Sequence, residues 1–186
     1  MRPKVALLVF ANPFRQRDNR SAMTRHYIMG AVLFCVILAN CEDKMADNWK
    51  EVSATWKGGL SFFGENAKGG TVQMGPQDGS IGPMQLLLVG LAGCTGIDIV
   101  SILEKKKSPP TDFKVNVRGK RAETFPMVYT DIEVEYILWG DDLKVRDVEQ
   151  AIKLSEDKYC SVSIMLGKTS NITSTYKILK PGEPEV

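Results

Sequence analysis

Apolar and polar positions follow two rhythms along this chain, and each predicts a different kind of element. Strict alternation marks strands. Val52, Ala54 and Trp56 fall on one face and Glu51, Ser53 and Thr55 on the other, so residues 48–56 read as a strand. Lys57-Gly58-Gly59 is a turn signal, residues 60–63 continue as a second strand, and Thr71–Met74 forms a third after a turn over 64–70. Further on, Phe113, Val115 and Val117 alternate with Lys114, Asn116 and Arg118, while Ile132, Val134, Tyr136 and Leu138 alternate with Asp131, Glu133, Glu135 and Ile137. These predict neighbouring antiparallel strands with one buried face, the basic outer face of the first set against the acidic outer face of the second. A last strand, Asn171–Leu179, places Ile172, Tyr176 and Ile178 on one side.

Helical rhythm appears twice. Residues 83–107 open on Pro83, suited to a first helical position, and close on Lys105, Lys106 and Lys107, which complement the negative end of the dipole before Pro109-Pro110 stops the run. Between Met84 and Leu103 nearly every helical face is apolar. A membrane span has that pattern too, but Gln85, Thr95, Asp98 and the glycines at 90, 93 and 96 oppose it. The remaining reading is a helix wrapped by other elements of a globule. Asp142 is placed to cap a second helix with apolar positions Val145, Val148, Ile152 and Tyr159, and a short third piece begins near Cys160-Ser161 and ends at Gly167. Three strands, a buried helix, two strands, a helix pair and a strand make an α+β domain.

Residues 1–44 stand apart. They carry 7 of the 24 basic residues but only 3 of the 22 acidic ones, with apolar patches at 5–11 and 27–39. Three readings are open: an extension upstream of a true start at Met45, a targeting or anchoring segment whose Leu38-Ala39-Asn40-Cys41 approaches a lipoprotein processing site, or a structured helix. We treat 1–44 as a non-domain extension and 45–186 as the domain. The domain is then slightly acidic although the chain has a net charge of +2, and no basic stripe suits a nucleic acid.

Candidate chemistry is sparse. Gly167-Lys168-Thr169 mimics the end of a phosphate-binding loop, but Val162 stands where its upstream glycine is needed. The only histidine, His26, lies in the extension, which removes Cys-His and Ser-His catalysis and histidine-based metal sites from the domain. Of four cysteines, Cys35 and Cys41 are in the extension and Cys94 and Cys160 in the domain. A lone distant pair beside a good core points to reduced or redox-active thiols in a cytoplasmic setting rather than a secreted scaffold. Cys94 reads either as a small core hydrophobe or as a reactive thiol. Gly90, Gly93 and Gly96 favour the second, because glycine is costly in a helix unless something approaches closely. Cys160 begins a helix, where the dipole favours a thiolate. A thiolate that attacks a peroxide becomes a sulfenic acid, which a second thiol resolves as a disulfide. Spacing does not establish that the two cysteines meet.

Three blocks supply a resemblance. Gly82-Pro83-Met84-Gln85-Leu86-Leu87-Leu88 runs into Leu91-Ala92-Gly93-Cys94-Thr95-Gly96; Gly119-Lys120-Arg121-Ala122-Glu123 is followed by Pro126; and Leu154-Ser155-Glu156-Asp157-Lys158-Tyr159-Cys160-Ser161-Val162 comes last. In that order they resemble the OsmC/Ohr family of organic hydroperoxide reductases, in its YhfA-like branch. The resemblance implies an OsmC-like fold, with antiparallel sheets wrapped around a long buried central helix in an intertwined homodimer with sites at the subunit interface. It implies Cys94 as the peroxidatic cysteine and Cys160 as the resolving one. Small organic hydroperoxides would be reduced to alcohols, and a dithiol such as a lipoyl group would recycle the disulfide, in defence against oxidative stress. No metal, haem or flavin cofactor is implied. The alternative is a non-enzymatic member of the same fold that binds a small apolar or thiol-reactive ligand. The chain departs from the family at the charges that activate the cysteine in Ohr proteins. Residues 45–82 contain no arginine, and Met84-Gln85 stands at the usual glutamate position. Arg118 and Arg121 are the candidate substitutes.

Overall fold

The computed structural model describes residues 49–185. The readings of residues 1–44, with Cys35, Cys41 and His26, lie outside the described residues, as does the start of the first predicted strand.

Three strands, β1 (Val52–Gly58), β2 (Ser61–Asn66) and β3 (Thr71–Met74), form an antiparallel sheet in sequence order. Gly58 and Gly59 take positive φ values of 104° and 55° in the β1–β2 turn, where a side chain would be strained, and the Trp56 indole N–H donates to the Gly59 carbonyl at 2.9 Å. β2 runs to Asn66, further than expected, because Gly64 pairs with Ala54 and Val72 rather than turning. β1 is exposed on both faces within the single chain: Val52 is 81% and Trp56 62% accessible.

Helix α1 (Pro83–Lys105) starts as expected. Pro83 occupies its first position, and the Gln85 side chain accepts from the Gly82 N–H at 2.9 Å. Its buried residues are Leu91, Thr95, Ile99 and Leu103, spaced four apart, so one stripe enters the core. The other apolar positions include Leu87, Val89 and Ile97, which are exposed. By length and composition α1 could cross a membrane, yet this stripe packs against β4 and the shorter helices. Close approach at the glycines is not met within the described residues. A Cβ at Gly90 or Gly93 would touch nothing, and at Gly96 it would make only ordinary contact with Val115 and Phe113.

The second sheet has the order β4 (Asp112–Arg121), β5 (Tyr129–Trp139), β6 (Asn171–Leu179). β4 and β5 pair antiparallel with Val117 opposite Val134 and Arg118 opposite Glu133, so charge does meet charge on the outer face. The inner face buries Ile132, Val134, Tyr136 and Leu138 as the alternation requires. β6 runs parallel to β5, which makes this sheet mixed. Gly119 is required by packing, because a Cβ there would lie 2.6 Å from the Tyr129 ring.

Helix α2 (Val145–Leu154) corrects two expectations. Its N-cap is Lys144 in extended conformation with no side-chain bond, so Asp142 is not the cap; the Asp142 carbonyl instead accepts from Ser108 Oγ at 3.1 Å. Tyr159 does not continue its stripe. The chain passes into a π-helical turn, Ser155–Tyr159, whose extra residue rotates the following side chains and leaves Tyr159 about half exposed. Cys160 then opens α3 (Ser161–Leu166), which Gly167 closes. Lys106, just past the end of α1, holds Asp147 at 2.9 Å and Gln150 at 2.7 Å, tying the end of α1 to α2.

Candidate active site

The two domain cysteines come from different elements. Cys94 projects from the middle of α1 and is partly buried; Cys160 follows the π-helical turn and is fully buried. The turn delivers it: the Cys160 N–H donates to the Ser155 carbonyl five residues back at 2.8 Å, after which φ −73° and ψ 98° release the backbone from α2. The side chain then acts as the cap of α3, with Cys160 Sγ accepting from the Ser163 N–H at 3.3 Å. Both thiols are free. Sequence spacing left open whether they meet. They do: the Cys94 and Cys160 sulfurs lie within 4.8 Å of one another, and a carboxylate oxygen of Asp98 lies within the same limit of both.

Asp98 escaped the sequence reading, where it counted only as an interruption of an apolar helix. Its signal was its position four residues after Cys94, which puts both on one helical face. Ser155 fixes the carboxylate by donating from Oγ to Asp98 Oδ2 at 3.1 Å. Behind the thiols Tyr136 is buried, and its hydroxyl donates to Glu156 Oε1 at 3.2 Å. Ser155 and Glu156 both belong to the π-helical turn.

Electrostatics separate the cysteines' surroundings from a strongly cationic site. Burial first, and then a hydrogen bond to Cys94, push the Cys160 thiol well above its ordinary pKa; only the backbone N–H groups of Ser163 and Val162 oppose this. Burial chiefly, with Glu156 adding to it, also holds the Tyr136 phenol neutral far above its usual range. The candidate cations are engaged elsewhere: Arg118 pairs with Glu133 on the outer face of the sheet, and Arg121 Nε donates to the Met127 carbonyl at 2.8 Å. Gln85, at the position where the resemblance placed an acidic residue, is occupied in capping α1.

The family profile described as OsmC-like protein matches residues 75–175, a stretch that contains both cysteines and Asp98. The chain belongs to the OsmC-like family. Among OsmC-like relatives, Protein YhfA of Escherichia coli K12 is 40% identical over 129 residues, which span 67% of this chain and 94% of that protein, so the chain lies in the YhfA-like branch. A hypothetical protein from Aquifex aeolicus VF5 has a similar structure, at TM-score 0.66 and 33% identity, covering 71% of this chain and 97% of its own. The organic hydroperoxide resistance protein OsmC from Legionella pneumophila shares the OsmC-like fold at TM-score 0.55 and 16% identity, with 71% and 98% covered.

Proposed function

We propose that this OsmC-like protein is a thiol-dependent peroxidase that reduces small organic hydroperoxides to alcohols, with Cys94 as the attacking thiol and Cys160 as the resolving one. The observation that carries this reading is the meeting of two free thiols with unequal access, Cys94 partly open and Cys160 sealed. Cys94 sulfur attacks the terminal peroxide oxygen, and the O–O bond breaks. Its thiol proton has an acceptor in the neighbouring Asp98 carboxylate, and the departing alkoxide takes up a proton to leave as the alcohol. Cys94 is then a sulfenic acid. The Cys160 thiol attacks its sulfur, water leaves, and a disulfide remains. A dithiol such as a lipoyl group reduces that disulfide by exchange and becomes oxidised itself. Work of this kind belongs in a reducing compartment such as the cytoplasm.

Membership of the family and the hydroperoxide resistance named for the Legionella protein support this reading. The homodimer belongs to it as well. Exposed Val52, Trp56 and Phe62 on the first sheet, Leu60 in its β1–β2 turn, and Leu87, Val89 and Ile97 on α1 leave apolar surface that a second copy would cover. Turnover tests the reading: the protein with a hydroperoxide and a lipoyl dithiol should yield one alcohol per dithiol oxidised, and Cys94→Ser should abolish it. Dithiol oxidation unchanged by Cys94→Ser would refute it.

The second reading, a non-enzymatic binder, is favoured by one feature, a cleft of about 480 Å³ between α1 and β4 lined by Ile81, Gln85, Leu88, Val89, Val115 and Val117. An apolar ligand that raises Tm in a protein without peroxide turnover would select it.

A further inference from the structure

We propose that Cys94, Asp98 and Cys160 form a binding site for a thiophilic divalent cation of the zinc class. The site uses the same sulfurs as the peroxidase reading but does not depend on it.

Three donor atoms, two sulfurs and a carboxylate oxygen, lie within 4.8 Å of one another. A tetrahedral ion about 2.3 Å from sulfur and about 2.0–2.2 Å from oxygen needs neighbouring donors roughly 3.5–3.8 Å apart. Only small rotamer adjustments separate that requirement from the present spacing. Cys94 and Asp98, one helical turn apart on α1, give two donors on a rigid element, and the cap geometry of Cys160 fixes the third. The Asp98 carboxylate already has the outer partner that metal-ligating carboxylates take, the Ser155 hydroxyl at 3.1 Å. Asp98 also lines a cleft of about 340 Å³ with Ser101, Ile102, Lys105, Lys106, Leu154 and Tyr159, which opens the carboxylate side of the cluster and leaves room for water as a fourth ligand.

The donor chemistry selects the ion. Two thiolates favour zinc, cadmium or cobalt over magnesium or calcium, which take oxygen ligands. The cation would also offset the negative charge of the Asp98 carboxylate within the cluster. Binding displaces the thiol protons, so metal uptake releases protons to the medium. A bound ion occupies both sulfurs, so metal binding and thiol oxidation exclude each other.

The test uses the full chain carrying Cys35→Ser and Cys41→Ser, so that Cys94 and Cys160 are its only thiols. Zinc is titrated without oxygen against a chromophoric chelator, and cobalt is added separately to read the sulfur-to-cobalt charge-transfer band. One ion per chain should bind with proton release, unaffected by excess magnesium or calcium, and saturating zinc should block alkylation of Cys94. Asp98→Asn, checked for native circular dichroism, should weaken zinc at least about tenfold while keeping the charge-transfer band at saturation. Ser155→Ala should weaken it less, and Cys160→Ser should lose much of the band. No stoichiometric binding in the micromolar range, or an Asp98→Asn protein that binds as tightly as its parent, would overturn the proposal. Because no peroxide is involved, a protein that binds zinc without turning over hydroperoxide refutes only the catalytic reading, and the converse refutes only this one.

Discussion

Oxidation to a Cys94–Cys160 disulfide should stabilise the fold by an amount the structure sets. The bond would close a loop of about 67 residues, for which chain entropy removed from the unfolded state gives an upper value of about 4.4 kcal/mol at room temperature. Native strain subtracts from it, because sulfurs within 4.8 Å must close to about 2.05 Å. Cys160 sits where the π-helical turn gives way to α3, with its side chain accepting from the Ser163 N–H, so the motion required is a side-chain rotation. A net gain of roughly 2–4 kcal/mol is therefore expected, which moves a urea midpoint upward by about 1–2 M. The assay compares urea unfolding of the reduced and peroxide-oxidised full chain in the Cys35→Ser, Cys41→Ser background, with bond formation verified by intact mass. Cys160→Ser treated in the same way should show no gain. A verified Cys94–Cys160 disulfide that leaves the midpoint unchanged, or lowers it, would refute the view that this fold holds the pair ready to join.

Three further outcomes follow from other parts of the molecule. Lys107 lies just past the end of α1 at φ 58°, a left-handed conformation that glycine adopts freely, so Lys107→Gly should raise stability by up to about 1 kcal/mol in thermal or urea unfolding. The Lys106 ammonium beside Asp147 holds that carboxyl below its ordinary pKa. The stability it contributes is thus present above the unfolded carboxyl value and lost as pH falls through the folded one. The difference in urea midpoint between the wild type and Asp147→Asn should accordingly be visible at neutral pH and shrink as pH falls below the ordinary carboxylate range. Trp56→Glu, on a strand exposed on both faces, should leave circular dichroism unchanged but convert a dimer to a monomer in sedimentation velocity; a monomeric wild type at tens of micromolar protein would contradict the proposed homodimer.

How much of this was legible in the sequence depended on the range of the interaction. Period-two alternation named the inner face of β5 residue by residue, and β6 has the limits, Asn171–Leu179, that the sequence predicted. The direction of β6 was not readable, since nothing in its own residues says which neighbour it pairs with. The π-helical turn was equally hidden. It inserts one residue into a helical phase, so a stripe counted from Val145 through Ile152 lands on Tyr159 in sequence but not in space. The exposed sides of α1 show a comparable limit, because an apolar residue records that it needs a cover and not what covers it. At the site, Cys160 was readable as the start of a helix, while its meeting with Cys94 rested on resemblance until the geometry brought the sulfurs together. Asp98 was within reach, four residues from Cys94, but a lone carboxylate in an apolar run carries no sign of its partner on another element.

Stoichiometric thiol titration with an organic hydroperoxide, followed by intact mass, tests the central claim most directly when the parent chain is set beside Cys94→Ser and Cys160→Ser, all three lacking Cys35 and Cys41. The parent should lose both thiols per hydroperoxide and form one disulfide; Cys160→Ser should gain a single oxygen as a trapped sulfenic acid, and Cys94→Ser should keep its remaining thiol. Equal, slow thiol loss in the parent and in Cys94→Ser would contradict the account.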